Sequence, residues 1–212
     1  MKKLLITLLI AMSSMAYAQK LATVDMDKTF LKYYKTINAE KKLKKQVRIM
    51  EDRAVEMERR HKSIISEYEK LMSESASIVL SDEARKKKKE MAEEKKIEIR
   101  RMEKSMRSFN KDARDMIAKQ HNDSRKDILK EIQKVIEMIS KNRAVDLVVD
   151  SSGKTSNLIP SVVYAKEELD ITEEVLKLLN KGHEKEVAEW EKEKEMKKKE
   201  AEAKKAAAEK GK

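Results

Sequence analysis

Residues 147–180, LVVDSSGKTSNLIPSVVYAKEELDITEEVLKLLN, are the one compact α/β stretch in a chain that is otherwise long and charged. Leu147, Val148 and Val149, then Val162, Val163 and Tyr164, are β-prone runs. Ser151, Ser152, Gly153, Asn157 and Pro160 between them favour turns, so the spacing predicts a strand pair joined by a long loop. Asp170 precedes a helix pattern: its carboxylate is placed to accept the Glu173 amide, and Val175, Leu176, Leu178 and Leu179 supply an apolar face. Gly182 stands just past that face, where a helix stops.

Upstream, the apolar residues follow a different period. Leu43, Val47, Met50, Ala54, Met57, His61, Ile64, Tyr68 and Leu71 alternate steps of four and three, a heptad seam that keeps one stripe against a partner helix. The pattern breaks between Ser73 and Asp82, where Ser73, Ser75, Ser77 and Ser81 surround Ile78, Val79 and Leu80. Ser81 or Asp82 then serves as an N-cap with Glu83 in the first turn. A return seam follows through Met102, Met106, Phe109, Ala113 and Met116, then Ile128, Ile132, Val135 and Ile139. The reading is an αα-hairpin with arms from about Asn38 to Asn142, well packed at the base and looser at the tip. At ~1.5 Å per residue, each arm is about 60 Å or longer. Lys20 to Asp25, KLATVD, alternates as a further short strand beside Leu147 to Asp150.

Residues 1–18 read as an address. Lys2 and Lys3 form a basic start, Leu4 to Met12 an apolar run, and Ala16-Tyr17-Ala18 a cleavage signal, so export and a mature start at Gln19 are expected. A membrane anchor needs ~20 apolar residues, and this run stops at Ser13 and Ser14. Cysteine is absent, so an exported chain of this kind holds together without disulfides. With 42% charged residues, three glycines and one proline, the composition fits long exposed helices rather than a thick globular core. Loss of Lys2 and Lys3 takes the formal charge from +11 to +9, an excess that favours acidic partners without selecting one.

The order of strand, long hairpin, strand pair and capped helix resembles the OmpH/Skp family of periplasmic chaperones. The segments that carry the resemblance are KLATVDMDKTF (20–30), LSDEAR (80–85), VDLVVD (145–150), Val163-Tyr164 and DITEEVL (170–176), spread over about Lys20 to Asn180. The fold it implies is mostly α with a small β body (α+β): a long coiled-coil tentacle on a short-stranded trimerisation body. The implied domains are body segments 19–37 and 143–180, arms 38–142 with a tip at about 73–82, and a charged, helix-prone tail 181–212 that the family pattern does not require. The loop Ser151–Ser161 is longer than that pattern. The implied activity is that of an ATP-independent periplasmic holdase: a homotrimer whose cavity holds unfolded outer-membrane proteins. The alternative is a structural coiled-coil spacer or envelope scaffold.

Within that frame, the off-seam apolar residues Ile49, Ile65, Met72, Ile97 and Ile99 are the candidates for client contact. Leu147, Val148, Val149, Val162, Val163, Leu176 and Leu179 are the candidates for the trimer body, because a two-strand body is marginal alone. The basic run Lys86, Lys87, Lys88 and Lys89, with Arg100 and Arg101, is the candidate surface for anionic membrane, lipopolysaccharide or acidic partners. Nucleic acid is not expected, since the export signal opposes it and no groove-reading motif is present. His61, His121 and His183 are too dispersed for a metal pair. Asp25 and Asp27 lack a His or Ser partner, and Asp27 is readily a helix cap. With no nucleophile motif and no phosphate loop, no catalytic residue, metal or cofactor is expected. Trp190 marks a contact of the tail.

Overall fold

The computed structural model describes residues 19–210, with side chains to residue 204. Residues 1–18, expected to be an export signal, lie outside the described residues. In chain order the elements are β1 (Leu21–Val24), α1 (Met26–Lys32), α2 (Tyr34–Ser75), α3 (Asp82–Arg143), β2 (Leu147–Asp150), a single 3₁₀ turn (Glu167–Leu169), α4 (Thr172–Leu179) and α5 (Glu184–Lys210). This is an α-hairpin coiled coil with a small two-strand sheet. The chain forms two compact units. One contains the described residues up to Ile37 and those from Lys126 onward; the other is Asn38–Arg125.

In the first unit, β1 and β2 pair in parallel, Leu21 against Leu147 and Val24 against Asp150. The alternation in KLATVD therefore does make a strand beside 147–150. The expected partner of β2 does not: Val162, Val163 and Tyr164 lie outside any strand, and Val163 and Tyr164 are 87% and 82% exposed. The loop closes early instead. Thr155 N donates to Ile159 O (2.8 Å), Ser161 N to Gly153 O (2.8 Å), and Lys154 bridges Pro160. The turn residues thus form a finger of their own before the chain reaches Val162.

The other side of β1 is closed by the entry to α4. Ile171 N donates to Thr23 O (2.9 Å), and the amide of Asp25 donates to the Thr172 hydroxyl (2.9 Å). Contrary to the sequence expectation, Asp170 is not the cap of this helix: the helix starts at Thr172, its N-cap is Ile171, and the Asp170 carboxylate, one residue earlier, accepts from the Thr172 amide and hydroxyl rather than from Glu173. Glu173 is free to pair with Lys28 (2.7 Å). Asp25, not Asp27, is the N-cap of α1, accepting from Lys28 N at 2.7 Å. Asp27 falls in the first turn, where its charge favours the helix dipole. Ala22, Val24, Ile37, Ile132, Ile139, Ile171 and Val175 form the buried core of this unit, so the base of α3 is firmly packed.

The long helix α2 begins four residues earlier than the seam alone predicts, at Tyr34. Tyr33 is extended (ψ 128°) and separates it from α1. Asn180 holds that break together: Tyr34 N donates to its Oδ1 (2.8 Å) and its Nδ2 donates to Lys32 O (2.9 Å). These are groups that helix ends leave without partners. At the far end of α3, Val145 N reaches back to Ser140 O (2.9 Å) and Ala144 adopts φ 53°, a Schellman ending that normally uses glycine.

Candidate functional site

The second unit pairs the heptad seam of α2 with α3 in antiparallel register, and side-chain contacts fix that register. Glu74 pairs with Lys88 (2.6 Å), Glu67 with Lys95 (2.7 Å), and the Arg53 guanidinium sits 5.6 Å from the Phe109 ring centroid. Stepping back seven residues from Glu74 to Glu67 moves seven forward from Lys88 to Lys95. The further fourteen to Arg53 match fourteen to Phe109. One register therefore serves all three contacts, as a heptad pair requires. The Lys95 hydrogen bond holds the Glu67 carboxyl below the ordinary carboxylate range, and Lys88 does the same for Glu74.

Within this register Leu43, Val47, Met50, Ala54, Met57, His61, Tyr68 and Leu71 are half-buried and Ile64 is buried. His61 does occupy the seam, with Nε2 3.7 Å from Glu103 Oε1. Tightness does not fade steadily toward the tip, as the sequence led us to expect, since Ile64 and Ala92 are 3% and 0% exposed. Ala92 carries little hydropathic signal, yet its small side chain lets the helices approach. On α3, Met116 is exposed and the half-buried positions run Phe109, Ala113, Ile117, Gln120 and Ser124. Two successive steps of four replace the expected four and three, which shifts the seam off Met116.

Of the client-contact candidates, Ile49, Met72 and Ile97 are 52%, 38% and 48% exposed, while Ile65 and Ile99 are half-buried. Val55, which sequence reasoning did not single out, is 59% exposed. It lies beside seam residue Ala54, and its position off the stripe is the signal that identifies it. At the tip, Ser81 Oγ accepts from Ala84 N (3.2 Å) and caps α3, while Ile78 and Val79 stand 91% and 89% exposed in the turn. The basic run after it is not one solvated face. Lys88 is half-buried in the cross-arm pair with Glu74, whereas Lys86, Lys87 and Lys89 are exposed, as are Arg100 and Arg101.

The trimer-body candidates divide into two groups. Leu176 and Leu179 are buried within the chain's own first unit. Leu147 and Val149, at 55% and 37% exposure, and Val163 offer apolar surface outward; Val148 and Val162 are intermediate. At the base of α3, Glu131 accepts from Tyr33 Oη (2.7 Å) and from Lys35 Nζ (2.7 and 2.8 Å). The Lys35 hydrogen bond leads in lowering the Glu131 carboxyl pKa, and burial followed by the Glu131 hydrogen bond raises the Tyr33 phenol.

Among the described residues no helix is long and apolar enough to cross a membrane, and no three His, Cys, Asp or Glu side chains gather as a metal site. Among curated proteins none matches the chain. The family model described as outer membrane protein (OmpH-like) matches residues 20–179, well over half of the sequence. It spans both strands, both long helices and α4, and the role attached to that family is that of a periplasmic chaperone for outer-membrane proteins, not of an enzyme. The chain belongs to the OmpH-like family.

Proposed function

We propose that this protein is an ATP-independent holdase that binds unfolded outer-membrane proteins in the periplasm and keeps them from aggregating. The carrying observation is the apolar surface left on the arms after the helix pair is formed: Ile49, Val55, Met72 and Ile97 are exposed on helices that are otherwise charged. Apolar side chains left this exposed by their own chain are available to an unfolded one, and methionine suits contact with varied partners. Assembly as a homotrimer, with arms around a shared space, multiplies these weak contacts. Exposed Leu147, Val149 and Val163 beside a two-strand sheet support such assembly, since a sheet that small gains stability from further strands.

Exposed Lys86, Lys87, Lys89, Arg100 and Arg101 supply long-range attraction for acidic client segments and for anionic membrane or lipopolysaccharide. The chain is exported through residues 1–18, cut after Ala18, and uses no cofactor. As domains we propose the body 19–37 and 143–180, the arms 38–142, and an accessory tail 181–212.

The test is native mass determination together with light scattering of an unfolded β-barrel membrane protein diluted from denaturant. A trimer that suppresses scattering at a few-fold excess is expected. An assembly that neither binds nor protects such a client supports the coiled-coil spacer instead.

A further inference from the structure

The arm register brings one histidine and three methionines into two successive layers of the seam. The Glu74–Lys88 and Glu67–Lys95 pairs set position 61 opposite 101, and His61 Nε2 lies 3.7 Å from Glu103 Oε1, so the residue between, Met102, stands across the seam from His61. Met57 lies one turn before His61 on α2, and Met106 one turn beyond Met102 on α3, so by the same register these two share the next layer. All four side chains are half-buried, and all belong to the unit Asn38–Arg125. Branched aliphatic residues are the usual occupants of such positions.

His61 is not satisfied there. Its Nε2 is fully buried and has no hydrogen-bond partner among the described residues, since Glu103 at 3.7 Å is too far to serve as one. A buried polar atom left unpaired is costly, and an imidazole nitrogen has another common use, as a metal ligand. Among the described residues no three His, Cys, Asp or Glu side chains gather, but the donors beside His61 are thioethers. One nitrogen among neutral sulfurs is a poor set for calcium or magnesium, which take oxygen, and suits a soft monovalent cation such as copper(I) or silver(I). Selection is by softness rather than by net charge: the ligands are neutral, Glu103 lies on one flank, and Arg101 on the other is exposed, where solvent screens it.

We propose that His61 and Met102, with a thioether from the Met57–Met106 layer, form a site for a soft monovalent cation of the copper(I) class. Cβ atoms one helical turn apart are about 5–6 Å from each other, and the rotatable bonds of methionine let each sulfur turn toward His61 Nε2. Because the donors come from both α2 and α3, a bound ion ties the two arms together between base and tip. The site does not depend on the holdase reading, and failure of that reading leaves it standing.

Silver(I), which needs no reductant, is titrated in chloride-free buffer into the full mature protein carrying carbon-13 methionine methyls. One saturable equivalent per chain is expected, with shifts at the methyls of Met102 and of Met57 or Met106 and at the His61 ring. The exposed Met72, Met91, Met116, Met138 and Met196 should move only at larger excess. His61→Leu, which keeps the seam apolar, and Met102→Leu, which nearly conserves volume, should each weaken binding at least about tenfold. Silver(I) should also raise the melting temperature of the wild type more than that of either variant. Shifts confined to the exposed methionines, absence of saturation, unchanged affinity in either variant, or equal binding of zinc(II) at the same donors overturns the proposal. The wild-type spectrum decides alone where a variant does not fold.

Discussion

Replacing Asn180 by alanine should be among the most damaging single changes in the body unit, although the residue carries no charge and fills little space. Its amide spans the break between α1 and α2, accepting from Tyr34 N at 2.8 Å and donating to Lys32 O at 2.9 Å, and it is 8% exposed. Alanine leaves an N–H and a carbonyl without partners, each costing about 1–3 kcal/mol when buried. Water reaching the edge of the site reduces that sum, so a loss of roughly 2–4 kcal/mol is expected. Asn180→Asp sharpens the test. The carboxylate still accepts from Tyr34 N but turns an acceptor toward Lys32 O, so the acid variant should not recover the wild-type value despite its matching shape. Urea unfolding followed by circular dichroism, at one fixed protein concentration because assembly contributes to stability, gives the numbers; Lys181→Ala is the exposed control. A loss below about 0.5 kcal/mol for Asn180→Ala, in the range of ordinary surface changes, would show that the clamp does not hold the junction.

Ala144→Gly should stabilise the protein by roughly 0.5–1 kcal/mol, since φ 53° penalises a Cβ; thermal unfolding checks it, and a neutral or negative result refutes the strain. Ile132→Ala, at 0% exposure, should cost about 2–5 kcal/mol, whereas Met91→Ala, at 41%, should cost under about 1 kcal/mol; equal losses in urea unfolding would refute the contrast. The Glu131 cluster should shape the pH dependence. Its carboxyl is depressed in the folded state, so its contribution is present above the unfolded carboxylate pKa and is lost as pH falls through the folded value. The Lys35 ammonium and the Tyr33 phenol are both raised, so theirs is present below their unfolded values and is lost as pH rises through the folded ones. Glu131→Gln should therefore flatten the acid limb of the stability–pH curve, and an unchanged limb between pH 5 and 2 would refute this. Amino-terminal sequencing of the mature protein should begin at Gln19, and retention of Met1 would remove the export reading.

Much of this was legible in sequence because long amphipathic helices write their geometry in local spacing. A heptad stripe on α2 needs only that one face meets a partner, and the serine-rich interruption at 73–82 needs only that the heptad spacing breaks, so both are read without knowing the tertiary contacts. The neighbouring placement of β1 and β2, though not their parallel sense, was legible for another reason: two short β-prone segments at opposite ends of a closed hairpin are brought together by the hairpin itself. Val162–Tyr164 failed as a second strand because β propensity states what a segment prefers, not whether an edge is within reach, and the Lys154–Pro160 finger redirects the chain before it can return to β2.

The roles missed altogether are those that depend on a distant partner. Asn180 looks like a helix end, Lys88 like one more lysine in a basic run, and Ala92 like filler. The first ties residues almost 150 positions away, the second joins Glu74 across the arm pair, and the third is fully buried. Lys88 could have been recovered, because extending the seam register from α2 across the tip places it opposite Glu74. Val55 was recoverable in the same way, as an apolar side chain that the register leaves outside. The seam is thus informative twice over: the residues on it report the fold, and the apolar residues it excludes are the ones that the proposed holdase would offer to a client.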